Sequence, residues 1–177
     1  MPEAFAVRRV RISDADRVRS IRIESLADPA ADIAFLGSRE RALGRPAEFW
    51  QERTAAVALS DSAAQFVAEA GRDWIGTLTV LIPEPTSTDY FGRPAVPGRA
   101  LVVAVYVRPS HRGQGALDSL LDAAAGWARD AGATELRLDV HEHNAPAHRA
   151  YTRLGFVATG QTSEGPNGTE LEMMRGL

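Results

Sequence analysis

Hydrophobic patterning is sharpest in the second half of the chain. Leu101 to Val107 is a near-continuous apolar run, the kind expected of a central strand covered on both faces, and Pro109 ends it. From Leu117 onward Leu120, Leu121, Ala124 and Ala128 recur at helical spacing, which predicts an amphipathic helix ending before Gly132. Leu136, Leu138 and Val140 then alternate with Glu135, Arg137 and Asp139 as a half-buried strand. Asn144 is placed to cap a further helix with Ala147, Ala150, Tyr151 and Leu154 on its inner stripe and Gly155 at its end. Phe156 to Gly160 and Thr169 to Met174 read as two closing strands.

The first half is patterned more weakly. Ala4 to Val10 predicts a short strand, and Ser13 followed three residues later by Asp16 has the shape of a capping box opening a helix through Leu26, with Val18 and Ile21 inward. Pro46 to Leu59 predicts a second helix, while Asp28 to Gly44 between the two is ambiguous. Gln65 to Ala70 and Trp74 to Ile82 form a hairpin around Gly71, Arg72 and Asp73. Pro83 to Gly98 holds four of the ten prolines and reads as a loop between core segments. The order of elements describes a mixed α/β domain built around one sheet.

Composition narrows the classes. With 177 residues and 45% hydrophobic content, one domain spanning 1–177 is expected, able to bury a core unaided. The absence of cysteine excludes disulfides, zinc-thiolate sites and a cysteine nucleophile, and makes a cytoplasmic location the simplest expectation. Neither a signal peptide nor a membrane span is expected, because no apolar run is long enough and arginines crowd the start. A net charge of −3 with scattered arginines argues against a nucleic-acid partner and leaves only local anion recognition.

The segment from Val105 to Leu121 carries that recognition. An apolar strand leads through Arg108-Pro109-Ser110-His111-Arg112-Gly113-Gln114-Gly115 straight into a helix. Glycines there let the backbone approach a ligand, and the unpaired N–H groups of the first helical turn face it with the positive end of the helix dipole behind them. A diphosphate fits such a site, although Gly113 and Gly115 also suit a plain tight connection. Neither the Walker nor the three-glycine dinucleotide pattern is present. His141, Glu142, His143 and His148 do not make a His-Glu-x-x-His zinc motif, because Ala145 stands at the required second histidine, so no metal is expected.

Arg112, Gly113, Gln114 and Gly115 after the strand, with Asn144, Ala147, Tyr151, Gly155 and Phe156 further on, resemble the two signatures of the GNAT superfamily of N-acetyltransferases. The resemblance covers Leu101 to Phe156 strongly and departs at Leu117 and Asp118, where a small residue followed by Ser or Ala is usual. It implies a single, mixed, mostly antiparallel central sheet with helices on both faces, acetyl-CoA as co-substrate, and an amine acceptor. Residue by residue, it implies that backbone groups of Val105 and Val107 pair with the pantetheine arm. The amides of Arg112, Gly113, Gln114, Gly115, Ala116 and Leu117 would hold the diphosphate, with Asn144 near the pantetheine. Tyr151 would be a general acid at the thioester sulfur. Read from pattern alone, Asn144 is equally a cap and Tyr151 equally core.

Many relatives carry a glutamate on the strand before the loop, and Leu101 to Tyr106 has no carboxylate. Glu24, Asp28, Asp89, His141 and Glu142 are then the candidate bases. Glu24, Asp28, Asp32, Asp89 and Glu164 would favour a cationic acceptor or are solvated loop charges, and Tyr90 and Phe91 would wall the acceptor or pin their loop. Two other readings stay open: a domain that binds coenzyme A without turnover, and a vicinal-oxygen-chelate metalloenzyme sharing the Tyr-x-x-Leu-Gly-Phe ending. A homodimer is compatible with the resemblance, and the acceptor is unspecified.

Overall fold

The computed structural model describes residues 4–177. Strands β1 (Ala6–Arg9), β2 (Ala63–Ala70), β3 (Asp73–Leu81), β4 (Arg99–Val107), β5 (Glu135–His141), β6 (Val157–Gly165) and β7 (Gly168–Gly176) form one sheet in the order β1-β2-β3-β4-β5-β7-β6, antiparallel everywhere except between β4 and β5. Strand β1 is Ala6–Arg9, shorter than the Ala4 to Val10 expected. The helix that follows, α1 (Ala15–Ser25), begins after a 3₁₀ turn over Ile12–Asp14. The expected Ser13–Asp16 capping box is not formed. Instead the Arg11 N–H donates to the Asp14 carboxylate at 2.8 Å, and Asp14 also accepts from Arg8 at 2.7 Å. Arg8 on the preceding strand thus holds a carboxylate two residues ahead of the one expected, and the reciprocal pair is Arg11 with Asp14.

The ambiguous stretch folds as two short helices, α2 (Ala31–Ala34) and α3 (Arg39–Leu43), before α4 (Ala47–Leu59). Helices α1 and α4 cover one face of the sheet, where Val10, Val18, Ile21, Trp50, Val67, Trp74 and Tyr106 form an apolar cluster. The hairpin β2 (Ala63–Ala70) and β3 (Asp73–Leu81) leads through the long loop to β4 (Arg99–Val107). Helix α5 (Ala116–Asp130) packs on the other face, with Leu120, Leu121, Ala124 and Ala128 fully buried against Ile75, Leu78, Leu136 and Leu138. Truncating a leucine in such a setting costs about 2–5 kcal/mol.

Strand β5 (Glu135–His141) and helix α6 (Ala145–Arg153) follow the predicted pattern. Asn144 caps α6, accepting the Ala147 N–H at 3.3 Å, and Gly155 ends the turn at φ 86°. The closing hairpin is longer than the two short strands expected: β6 (Val157–Gly165) and β7 (Gly168–Gly176) extend to the tip, with β7 inserted between β5 and β6.

The largest departure from expectation concerns β4. Its pairing with β5 covers only Arg99, Ala100 and Leu101, opposite Glu135, Leu136 and Arg137. Beyond Leu101 the two strands separate, so Val103, Ala104 and Val105 are half-exposed instead of covered on both faces. A bulge helps: the register with β3 slips between Thr77 and Thr79, and Ala104 takes φ 53°. A non-glycine residue in the left-handed region is strained, and strain of this kind persists only where surrounding packing fixes it.

Candidate active site

The parted strands open a cavity of about 820 Å³. Val103 to Val107 and Leu138 to His141 line it, with Arg112, Gly113 and Gly115 of the loop, Tyr90, Phe91 and the α2 residues Ile33 and Ala34. Both loop glycines have positive φ, 74° at Gly113 and 90° at Gly115, with nothing within 4 Å of where a Cβ would stand. The requirement for glycine is therefore conformational, and the space beside the loop is free for a ligand. Gly115 is the N-cap of α5, so the first amides of a 15-residue helix face that space without a side-chain cap.

Side chains hold the loop in shape. The Arg112 guanidinium donates to the Val107 carbonyl at 2.9 Å and to Asp28 at 2.5 Å, and Gln114 reaches back to the Ser110 carbonyl at 2.8 Å. The Val107 carbonyl is thus already engaged. Gln114, which is exposed, and Ala116, which is buried, are not among the residues lining the cavity, whereas Val105, Val107, Arg112, Gly113, Gly115 and Leu117 line it. Asp118 also lines it, but it is bound in two-pronged fashion by Arg153 at 2.9 Å, which lowers its pKa. A carboxylate in the first turn of α5 repels a bound diphosphate, and Arg153 counters that repulsion.

Asn144 and Tyr151 both reach the cavity. The Asn144 carbonyl oxygen is spent on its cap, and its amide lies 3.5 Å from the Ile33 carbonyl. The Tyr151 ring packs edge-on against Phe156 at 5.7 Å between centroids, and its hydroxyl makes no hydrogen bond among the described residues. Burial raises its pKa well above that of free tyrosine, keeping the phenol protonated.

The candidate bases separate by their partners. Glu24 is bound by Arg108 at 2.6 and 2.8 Å and by the Tyr106 hydroxyl at 3.1 Å, and Asp89 is held by Arg93 and two backbone amides. Asp28 is tied to Arg112 and to the Ala30 amide. His141 is buried in the cavity wall, but its Nδ1 accepts the His143 N–H at 3.1 Å and its Nε2 lies 3.0 Å from the Asn167 carbonyl. Both ring nitrogens are thus engaged, and neither is free to take a proton from an acceptor. Glu142 is partly exposed beside His143 and lies outside the cavity lining.

The pattern of the sequence did not single out Glu170. It projects from β7 opposite His141 and lines the cavity. Four carboxylates do so: Asp28, Asp118 and Asp139 are each bound by an arginine, and the Glu170 carboxylate alone has no hydrogen bond among the described residues. Burial raises its pKa, His141 opposes that shift, and Asp139 reinforces it. Tyr90 both pins and walls: its hydroxyl donates to Asp139 at 2.9 Å while its ring lines the cavity with Phe91. Among the described residues no group of His, Asp and Glu could hold a metal ion, and no helix is long and apolar enough to cross a membrane.

A mixed sheet whose central strands part above a glycine-lined helix N-terminus defines a binder of an extended, phosphate-bearing molecule. The sequence profile of the acetyltransferase (GNAT) family matches residues 30–156, and the chain belongs to that family. Streptothricin acetyltransferase of Streptomyces lavendulae is 42% identical over 74 residues, 42% of this chain and 39% of that protein. The shared segments span only about two-fifths or less of the curated relatives' lengths in two of three cases, and 44% in the third, a rat N-acetyltransferase. Among solved structures, a GNAT-family acetyltransferase from Streptococcus pneumoniae aligns with TM-score 0.77 and 18% identity, covering 98% of this chain and 100% of that one. A Salmonella typhimurium protein solved with acetyl-CoA aligns with TM-score 0.74 and 21% identity, covering 98% and 94%. At those identities the likeness is one of fold.

Proposed function

We propose that the protein transfers the acetyl group of acetyl-CoA to a primary amine by direct attack on the thioester. The opening between β4 and β5, ending on the open amides around Gly113 and Gly115, carries the reading, since an unpaired strand edge leading to anion-binding amides suits a pantetheine arm that ends in a diphosphate. The amides from Arg112 to Leu117 would take the phosphates, and the unpaired edge of β4 near Val105 would meet the pantetheine amides as an added strand does. Asn144 would stand by the same arm through its amide group.

Tyr151 would donate its phenolic proton to the departing thiolate. A thiol of pKa near ~8.5 is already a fair leaving group, so the phenol's contribution is modest. The amine needs more help, because at pH 7 an aliphatic amine of pKa ~10.4 is neutral in fewer than about one molecule in 10³. Glu170 would accept its proton, the raised pKa making this carboxylate a stronger base than an exposed one. The C–S bond breaks and a C–N bond forms; the ammonium gives up two protons, one to Glu170 and one that restores the Tyr151 phenol after it has protonated sulfur.

A cytoplasmic setting, where acetyl-CoA is available, belongs to the same reading, and oligomeric state, monomer or homodimer, is settled by sedimentation. The test of function is thiol release from acetyl-CoA across a panel of amines, amino acids, peptides and antibiotics, with the acetylated product identified by mass spectrometry. Amine-dependent release supports the reading. Tight coenzyme A binding without release from any amine would favour a binding-only domain.

A further inference from the structure

Two arginines in the cavity are left without an anion. Arg112 and Arg153 line it as well, and each is matched by a carboxylate, Asp28 and Asp118 respectively. Arg22 on α1 and Arg53 on α4 have no carboxylate or carbonyl partner among the described residues, although they meet in a side recess of the cavity beneath Ala104. The polar groups beside them are spent elsewhere: Gln65 donates to Thr77 at 3.0 Å, and Thr77 donates to the Phe66 carbonyl at 2.8 Å.

Their electrostatics are those of an unfilled anion site. Burial, with the repulsion of Arg53, pulls the Arg22 pKa down to about 10, and burial lowers that of Arg53. Arg53 stays exposed and lines the cavity. Arg22 is held in place by stacking on Phe35, 4.9 Å from the ring centroid, and its Nη2 lies 3.2 Å from where a Cβ on Gly37 would be. Two guanidiniums that line one recess and repel each other are stabilised by an anion between them, and their planar forks suit a carboxylate.

That anion is not a phosphate of coenzyme A. The recess lies under Ala104, three residues before the end of β4 at Val107 and so roughly 10 Å from where the glycine loop begins. It opens instead beside the middle of the parted strands, on the acceptor's side. Across the cavity, Glu170 is the carboxylate without a partner. One cavity thus offers an unfilled cationic pocket and an unfilled carboxylate.

We propose that the acceptor is an amino acid, an amine that carries its own carboxylate, with the carboxylate bound by Arg22 and Arg53 and the amine directed to Glu170. The inference rests on the acetyltransferase reading and narrows its substrate class, away from the purely cationic acceptors that the surface carboxylates suggested.

The test uses the full chain with saturating acetyl-CoA and matched acceptors: α- and ω-amino acids, their amides, and the corresponding decarboxylated amines. The acid member of a pair should exceed its amide by roughly 10- to 100-fold in kcat/KM, the range of a charge-assisted hydrogen-bonded pair. R22Q and R53Q should each erase that advantage through KM, while R22K and R53K restore part of it. Calorimetry should give the same acetyl-CoA affinity in R53Q as in the parent. Equal or better turnover of amides in the parent, or an acid preference that survives both glutamine variants, overturns the proposal. Failure of the parent to bind acetyl-CoA removes the acetyltransferase reading and this one together. Binding with preference for carboxylate-free amines removes only this one.

Discussion

Replacing Glu170 by glutamine keeps the shape of the side chain and deletes one buried charge, so activity and stability should move in opposite directions. At pH 7 a single base accounts for roughly 10²–10⁴ in rate, and with fewer than one free amine in about 10³ the loss in kcat should be about 10²–10³. It should shrink as pH rises and the amine deprotonates unaided. The acid limb of the kcat/KM profile should vanish, because burial and Asp139 hold the Glu170 pKa above its usual 4.5 against the pull of His141, with Tyr90 and Arg93 bonded to Asp139 behind it. With the folded pKa above the unfolded one, the native state holds more protons across that window. Stability present below the unfolded value is therefore lost as pH climbs through the folded value. Glutamine has no such loss: E170Q should melt above the parent at pH 8, and the difference should close below about pH 4.5. Unchanged turnover with an intact acid limb would show that the base lies elsewhere. A lower Tm at pH 8 would show that Glu170 is engaged in an ion pair.

Y151F removes only a hydroxyl, since the ring is fixed by Phe156, so Tm and coenzyme A affinity should hold while turnover falls by at most ~10², the low end for a general acid; unaltered turnover would return Tyr151 to the core. D118S should tighten coenzyme A in calorimetry at low salt, because it removes an anion and frees Arg153, whereas R153Q should weaken it; the same sign for both would place the pair away from the diphosphate. G115A should weaken coenzyme A through strain at φ 90° without any clash, and an unchanged Kd would refute the loop's role.

Legibility followed local physics. The stripe Leu120, Leu121, Ala124 and Ala128 and the alternation of Leu136, Leu138 and Val140 are set by burial against one face, so period alone revealed them. Helices α2 and α3 are too short to have a period; α2 is held from outside, by Asn167 on the Asp32 carbonyl at 2.7 Å and Asn144 on that of Ile33. The run Leu101 to Val107 reads as a covered strand because a cleft for an apolar arm asks for the same side chains as a core does. Arg22, Arg53 and Glu170 gave no signal, since what distinguishes them is a missing partner, and pairings such as Asp118 with Arg153 join residues 35 apart.

The most direct measurement is a calorimetric titration of the protein with acetyl-CoA, accompanied by a melting curve at each end point. One-to-one binding is expected, with about 2.7 kcal/mol of added stability at ~100 times Kd. No heat of binding together with an unmoved Tm would contradict the assignment of the cleft between β4 and β5.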